Sequence, residues 1–437
     1  MMTLSISKAI QVCHSAAQVA WLFAALVLPV TAQTIAITGG KVYPVSSPPI
    51  ENGTVLIRDG KIVAVGANVV VPEGAQRIDA SGKWVTPGIV NPATQLGLVE
   101  IGQVADTREG SATPGADAIN AAFTVWDGLN PSSVLLAPAR NEGITTAVVF
   151  PQGGLIAGQA AIVDIVEGTV SDMMLRSPVA MVAQVGDAGS ANAASRGELM
   201  VRLREVLEDT KSYARRRADF ERSQTRDFSA SRLDLEAMIP VVQGRLPFLV
   251  LADKASDIDN ALKLAREYDL RLIIGNGAEA WMVADRLAAA KVPVMAGAMN
   301  NIPTSFSTLG QRQDNPALLR KAGVDVILVG TGNSPDAFNV RNIKQEAGNA
   351  IAYGMSWDDA LRAVTLAPAE LFGVGDRVGS LRVGREANVV VWSGDPFELS
   401  TKVEHVLLRG KAVTLGTSRQ DQLMQRYDTL PPRYSRP

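Results

Sequence analysis

The chain has 437 residues, of which 47% are hydrophobic and 20% charged, so it can bury a large core and is not expected to be disordered. Its net charge of −2 gives no electrostatic argument for nucleic-acid binding. One cysteine, Cys13, and two histidines, His14 and His405, exclude a disulfide framework, a cysteine-rich zinc site and nearly every histidine-rich metal site.

The first 32 residues have the three parts of a secretory signal in the right order. Lys8 precedes an apolar run at residues 19–28, and Val30 and Ala32 have the small-residue spacing of a cleavage site. The run is too short to span a bilayer. We therefore predict a signal peptide over residues 1–32, cleaved after Ala32, and a periplasmic or secreted protein; the alternative is a buried N-terminal helix.

Both ends of the remaining chain have the pattern of short strands joined by tight turns. Near its beginning, Asp59-Gly60 separates two apolar runs, and such a dipeptide is typical of β-hairpins. Near its end, a strand-like run at residues 387–392 is followed by two more runs, which Arg409-Gly410 separates in the same way. We expect the two ends to pair into one small β-domain.

Between the two ends, apolar strand-like runs alternate with amphipathic runs of helical length. The clearest helix covers residues 198–213, where Leu199, Leu203 and Leu207 recur on one face. Strand-like runs occur at residues 144–150, 179–183, 248–251, 272–274, 292–295 and 326–329. Nearly continuous apolar strands separated by helices predict a parallel sheet and, at this length, a closed (β/α)8 TIM barrel.

Four segments resemble the amidohydrolase superfamily, in particular its imidazolonepropionase-like and prolidase-like periplasmic branch. They are residues 79–90 (DASGKWVTPGIV), 141–146 (NEGITT), 360–369 (ALRAVTLAPA) and 378–392 (VGSLRVGREANVVVW). The resemblance implies a TIM barrel with a composite β-sandwich domain formed from both chain ends. The expected division is a signal peptide at 1–32, β-sandwich parts at 33–85 and 377–425, a barrel at 86–376 and a tail at 426–437.

The same resemblance identifies five positions where relatives hold a metal ligand or the catalytic base. Here these positions hold Ala93, Gln95, Leu251, Asn276 and Gly332. Aliphatic side chains and glycine offer no ligand atom, and neutral amides are poor ligands for zinc. Relatives use zinc or another divalent metal, so the resemblance implies that this chain has lost its metal and, with it, the usual means of activating water.

A barrel mouth remains without the metal, and polar residues that follow the strands are expected to line it. The candidates are Thr94, Asp253, Glu279, Asn300, Asn301, Thr331, Asn333 and Asp336. Most are neutral amides or hydroxyls, which suit hydrogen bonding to a ligand better than proton transfer. His405 falls in the terminal β-region, where it is expected to be a surface strand residue.

Three functions are compatible with these residues. The first is a catalytically inactive family member, a pseudoenzyme, which binds a small molecule or peptide or serves as the partner of an active relative in a homo- or hetero-oligomer. The second is a genuine hydrolase of C–N bonds, in dipeptides or non-peptide amides, with a non-standard or metal-free mechanism. The third is a structural protein whose barrel mouth is closed. Metal content distinguishes the first function from the second.

Overall fold

The computed structural model describes residues 34–112, 118–186, 195–330, 339–416, 421–423 and 425. The predicted signal peptide and the tail from residue 426 lie outside these ranges, as do Thr331, Gly332, Asn333 and Asp336. The expectations for these residues therefore stay predictions.

The described strands and α-helices have the following bounds. The strands are β1 (Thr34–Val42), β2 (Ile50–Arg58), β3 (Lys61–Gly66), β4 (Gln76–Asp79), β5 (Trp84–Pro87), β6 (Ile89–Thr94), β7 (Ile144–Val149), β8 (Ile156–Asp164), β9 (Met174–Gln184), β10 (Phe248–Ala252), β11 (Leu272–Asn276), β12 (Val294–Ala296), β13 (Val326–Leu328), β14 (Val389–Trp392), β15 (Val403–Leu408) and β16 (Lys411–Ala412). The α-helices are α1 (Leu136–Asn141), α2 (Val170–Met173), α3 (Arg196–Arg215), α4 (Arg217–Glu221), α5 (Arg232–Val242), α6 (Ala255–Tyr268), α7 (Ala284–Ala289), α8 (Asn315–Lys321), α9 (Ile343–Ala352), α10 (Trp357–Ala363) and α11 (Leu366–Leu371). None of the helices in these ranges is long and apolar enough to cross a membrane.

The two ends of the chain form one sheet, as predicted. Its strand order is β16-β15-β14-β5-β1-β2-β3, with β4 beside β1, and the antiparallel pairing of β14 with β5 joins the two ends. Both predicted hairpin turns are present. Asp59 and Gly60 have φ values of 50° and 77°, and Arg409 and Gly410 have 47° and 73°. Each turn therefore uses two consecutive residues with left-handed φ values, which is the backbone that a type I′ hairpin requires.

The middle of the chain forms a nearly closed, barrel-shaped sheet of eight strands, β6 to β13 in chain order. The expectation of parallel strands is wrong for β8, which runs antiparallel to both β7 and β9. The connection from β7 to β8 contains Gly153 and Gly154, both with positive φ, and no helix. A parallel crossover needs a dozen or more residues, so a connection this short can only reverse the chain.

On the open side of the barrel sheet, β6 is bonded to segments that follow β13 in the chain. Val90 N donates to Val364 O at 2.9 Å. Asn91 is 1% exposed, and its Nδ2 donates to Val340 O at 3.1 Å while its Oδ1 accepts from Ala93 N of the same strand. The Asn91 amide therefore holds β6 to the segment around Val340 and also restrains the end of its own strand.

The barrel interior is a continuous apolar cluster to which almost every strand contributes. Its strand residues are Val90, Val148, Ala157, Ala160, Ile162, Val179, Ala180, Val182, Leu249, Leu251, Ile273, Met295 and Ile327. The helices pack outside the sheet. In α3, Leu199, Leu203 and Leu207 are buried, which confirms the predicted apolar face.

A buried carboxylate joins the barrel to the terminal sheet. Asp164, at the end of β8, is fully buried and accepts hydrogen bonds from Thr146 Oγ1 at 2.8 Å and Asn388 Nδ2 at 2.9 Å. Arg409 Nε contacts its other oxygen at 2.8 Å. Burial raises the pKa of Asp164 to about 6, and the positive charge of Arg409 opposes that rise.

We expect Arg409→Met to lower the free energy of unfolding by about 2–3 kcal/mol at pH 8, because it leaves the buried carboxylate without its cation. The loss should be smaller at pH 5, where the raised pKa lets Asp164 take up a proton in the folded state. Urea unfolding at both pH values measures the difference. Arg217→Met removes an exposed ion-paired arginine and should change stability by no more than about 1 kcal/mol. An equal effect of Arg409→Met at both pH values would contradict the prediction.

Candidate functional site

The four described positions at which the sequence resemblance predicts a vacated metal site all lie at one end of the barrel. Ala93 lies in β6 with Gln95 just beyond it, Leu251 lies in β10, and Asn276 is the last residue of β11. These three strands run in the same direction, so their C-terminal ends form one mouth. Within the sheet, Ala252 and Asn276 are direct neighbours on β10 and β11.

One side of the mouth is apolar. Leu251 is 6% exposed and belongs to the interior cluster, together with Phe150 and Val329, and Ala93 packs against the same cluster. A Cβ atom at Gly275 would lie 2.4 Å from Leu251 Cδ2, so the leucine side chain lies directly over the glycine and would have to move to admit a larger residue there. The structure thus brings Ala93 and Leu251 to the same apolar layer.

Gln95 is held apart from the other positions by the loop that follows β6. It is 7% exposed, and its Nε2 donates to Gly110 O at 3.4 Å. A Cβ atom at Gly110 would come within 2.3 Å of Nε2, so the amide lies directly against the backbone of the loop. Thr94 is also buried, and its Oγ1 accepts from Leu96 N at 3.0 Å. Neither contact directs a polar group towards Asn276.

The described donor set does not fit a hydrolytic zinc centre. Such a centre needs imidazole, thiolate or carboxylate ligands around an open position. Two of the four described positions are aliphatic and the other two are neutral amides. In the part of the chain that the structure describes, no group of three or more His, Cys, Asp or Glu side chains is placed to hold a metal ion. His405 is exposed on β15, where it pairs with Val391 of β14.

The other side of the mouth encloses a small polar cavity of about 40 Å³, which we call the mouth cavity. The described polar side chains that line it are Asp253, Asn276, Asn300, Gln311, Arg312, Asn315 and Glu346. Three of these were expected from the sequence as site residues, namely Asp253, Asn276 and Asn300. Asn276 has a φ of 67°, which asparagine tolerates better than most residues, and its Nδ2 donates to Asp253 Oδ2 at 3.4 Å.

Two further candidates from the sequence have other positions. Glu279 is buried, and its two oxygens accept from Gly310 N at 3.1 Å and Ala255 N at 3.0 Å. Its carboxylate therefore holds a loop and the beginning of α6 together. Asn301 is exposed and donates to Gln313 Oε1 at 3.4 Å.

Glu346 of α9 is a candidate site residue that the sequence analysis did not identify. It is 1% exposed, and its Oε2 accepts from the backbone N–H groups of Ala298 and Met299. Oε1 is buried and has no hydrogen-bond partner within the described residues. Burial raises the pKa of Glu346 to about 7, although the two backbone donors act in the opposite direction. A carboxyl group that titrates near neutrality can transfer a proton or accept a ligand's hydrogen bond.

A signal for Glu346 exists in the helical phase of its segment. Ile343, Ala347 and Ala350 are buried, and with Glu346 they have the spacing of one helix face. A glutamate within an apolar stripe must be buried when the helix packs. Burial of a carboxyl group without a cation raises its pKa, so this pattern could have marked the residue.

Sequence comparisons relate the chain to hydrolases of carbon–nitrogen bonds. Residues 272–413 match the model of the amidohydrolase family. The chain is 24% identical over 399 residues to the amidohydrolase tasK of Hapsidospora irregularis, covering 82% of this chain but 40% of tasK. It is 25% identical over 391 residues to the imidazolonepropionase of Mesorhizobium japonicum, covering 80% of this chain and 88% of that enzyme.

The fold comparison agrees with these matches. The crystal structure of an amidohydrolase from Thermotoga maritima superposes with a TM-score of 0.78 and 26% sequence identity, covering 87% of this chain and all of that one. The similarity thus extends over the barrel and the sheet formed by the two chain ends. By sequence and by fold, the chain is similar to proteins of the amidohydrolase superfamily, with imidazolonepropionases among its relatives.

Proposed function

We propose that this chain is a non-hydrolytic amidohydrolase-fold protein that binds a small ligand at its barrel mouth. The observation that carries the proposal is the apolar layer at the mouth. Leu251 and Ala93, at two positions where relatives hold metal ligands, pack in the barrel interior. A water molecule there has no metal to lower its pKa. The neighbouring mouth cavity offers carboxylates and amides, which can bind and orient a ligand.

The proposal includes the setting in which such a protein would act. A signal peptide over residues 1–32 would export it to the periplasm or beyond the cell. There it could associate with itself or with an active amidohydrolase, and supply that partner with a bound ligand. Affinity purification from periplasm, read for an amidohydrolase that keeps its metal-binding histidines, tests this part independently of ligand binding.

Purified protein should contain far less than one equivalent of zinc, iron or manganese per chain. The physical reason is that aliphatic and amide side chains stand at the described ligand positions. Elemental analysis after dialysis against metal-containing buffer measures this, with the same protein unfolded and refolded in zinc as a control. One tightly held equivalent per chain would overturn the proposal.

Restoring the missing groups tests whether only the ligands are absent. We expect a variant carrying Ala93→His, Gln95→His, Leu251→His, Asn276→His and Gly332→Asp to bind zinc weakly and to hydrolyse dipeptides and cyclic amides poorly. Ligands need hydrogen-bonding partners that fix their orientation, and losing such partners typically costs about 10–100-fold in metal affinity or activity. Calorimetric titration with zinc and product analysis measure both properties. Tight zinc binding with rapid hydrolysis would contradict the expectation.

A second function, metal-free hydrolysis of C–N bonds, is favoured by one observation, the buried carboxyl of Glu346. With a pKa of about 7, it could act as a general base towards water in the mouth cavity. Hydrolysis that survives a strong chelator and disappears in Glu346→Gln would establish this function. The main proposal predicts that neither the original protein nor Glu346→Gln hydrolyses C–N bonds.

Glu346→Gln also has a defined effect on stability. The folded-state pKa of about 7 lies above the value near 4.3 of an unfolded glutamate, so the folded state loses stability as the pH rises from about 4 to about 7. Glutamine does not titrate and avoids this loss. Relative to the original protein, the variant should therefore gain about 2–3 kcal/mol between pH 5 and pH 8 in urea unfolding. Glu370→Gln, at a half-exposed glutamate, is the control and should show no such gain. A pH-independent difference would contradict the prediction.

A further inference from the structure

We propose that the mouth cavity is a subsite for a protonated amine, a primary ammonium group of the ligand, with Glu346 Oε1 as its principal acceptor. This inference rests on the ligand-binding role proposed above and names the chemical class of the ligand. Glu346 lines the cavity and is 1% exposed. Its Oε1 has no hydrogen-bond partner among the described residues.

Several amide groups of the cavity lining are already engaged in hydrogen bonds. Asn315, which is 2% exposed, donates to Gly277 O at 2.9 Å and accepts from Trp281 N at 3.1 Å. Asn276 donates to Asp253, and Gln311 Nε2 donates to Asn300 O at 2.9 Å. In contrast, Glu346 Oε1 is a buried acceptor without a hydrogen-bond partner among the described residues.

The charged side chains around the cavity also favour a cationic ligand group. Arg312 lines the cavity, but its guanidinium forms a bidentate ion pair with Asp314 and stacks at 4.7 Å on the ring of Trp281. Among the described lining residues, the other charged side chains are Asp253 and Glu346, both carboxylates. The two recorded partners of Glu346 are backbone N–H groups and not a cation. An ammonium group beside its Oε1 would therefore be attracted, whereas an anionic group would be repelled.

Size and geometry favour an ammonium group over a metal ion. A water molecule needs roughly 10–15 Å³ of cavity space, so a cavity of about 40 Å³ has room for an ammonium group and the carbon that carries it. An ammonium group donates three hydrogen bonds to separate acceptors. Mg²⁺ and Ca²⁺ take six or more oxygen ligands, so on two carboxylates they would need several waters as well, and a cavity of this size has little room for them.

Methylammonium is the probe that tests the subsite, and residues 33–437 are used because residues 1–32 are the predicted signal peptide. Isothermal titration at pH 8 and constant ionic strength should give saturable binding at one site per chain. Glu346→Gln should weaken it at least tenfold, because the acceptor is lost while the amide oxygen can still accept from Ala298 and Met299. Asp253→Asn should weaken binding by a smaller factor, and Glu370→Gln, far from the mouth, should leave it unchanged. Circular dichroism and the unfolding midpoint of each variant establish that it is folded.

The outcomes separate this inference from the proposed function. Absence of methylammonium binding, equal binding by folded Glu346→Gln, or equal responses to tetramethylammonium, Na⁺ or Mg²⁺ would each overturn the ammonium subsite. If those results came from a metal-free, non-hydrolytic protein, the proposed function would still stand. Conversely, Glu346-dependent methylammonium binding by a protein with stoichiometric metal and chelator-sensitive hydrolysis would keep the subsite and overturn the proposed function.

Discussion

The structure depends on a carboxylate that is removed from water where the barrel meets the terminal sheet. An ionised side chain in such a place is strongly unfavourable unless every lone pair has a partner. Asp164 obtains them from β7 through Thr146, from the beginning of β14 through Asn388, and from the β15–β16 turn through Arg409. Because these partners come from both chain ends and the barrel, satisfying one carboxylate fixes the position of the two sheets relative to each other.

The same requirement explains the asparagine that directly precedes β14. Here the Asn388 amide donates to Asp164 while its Oδ1 accepts from Arg409 N at 2.8 Å. An aspartate in this place would put a second carboxylate against Asp164 and remove a donor. The asparagine is therefore the residue that matches a buried acid on β8.

Much of this fold could be predicted because local signals and long-range pairing agree. Asp59-Gly60 and Arg409-Gly410 each determine a hairpin within a few residues, and the apolar faces of the hairpins require a common sheet. The direction of β8 could not be predicted in the same way. Its residues are almost all apolar, and a buried strand has the same pattern whichever way it runs. The length of the connection between β7 and β8 determines the direction of β8, and the side chains of the strand do not indicate that length.

The positions of the strand-end residues at the site could be predicted from the sequence, but the presence of the buried carboxyl group of Glu346 could not. Strand ends that converge at a barrel mouth follow from topology, so Leu251 and Asn276 could be expected there. Asp253 could be counted as a lining residue for the same reason. Glu346 comes from a helix that packs outside the barrel, and only the packing of α9 beneath residues 298–299 buries its carboxyl against the mouth.

The chemistry of the mouth follows from how its two sides are built. Leu251 lies over Gly275 on one side and makes that side apolar. On the other side, two backbone N–H groups hold Glu346 Oε2, which restrains the carboxylate without giving it a cation. A restrained acceptor binds a donor with little loss of conformational entropy. An apolar wall beside a restrained carboxylate suits the ligand recognition that we propose for this mouth.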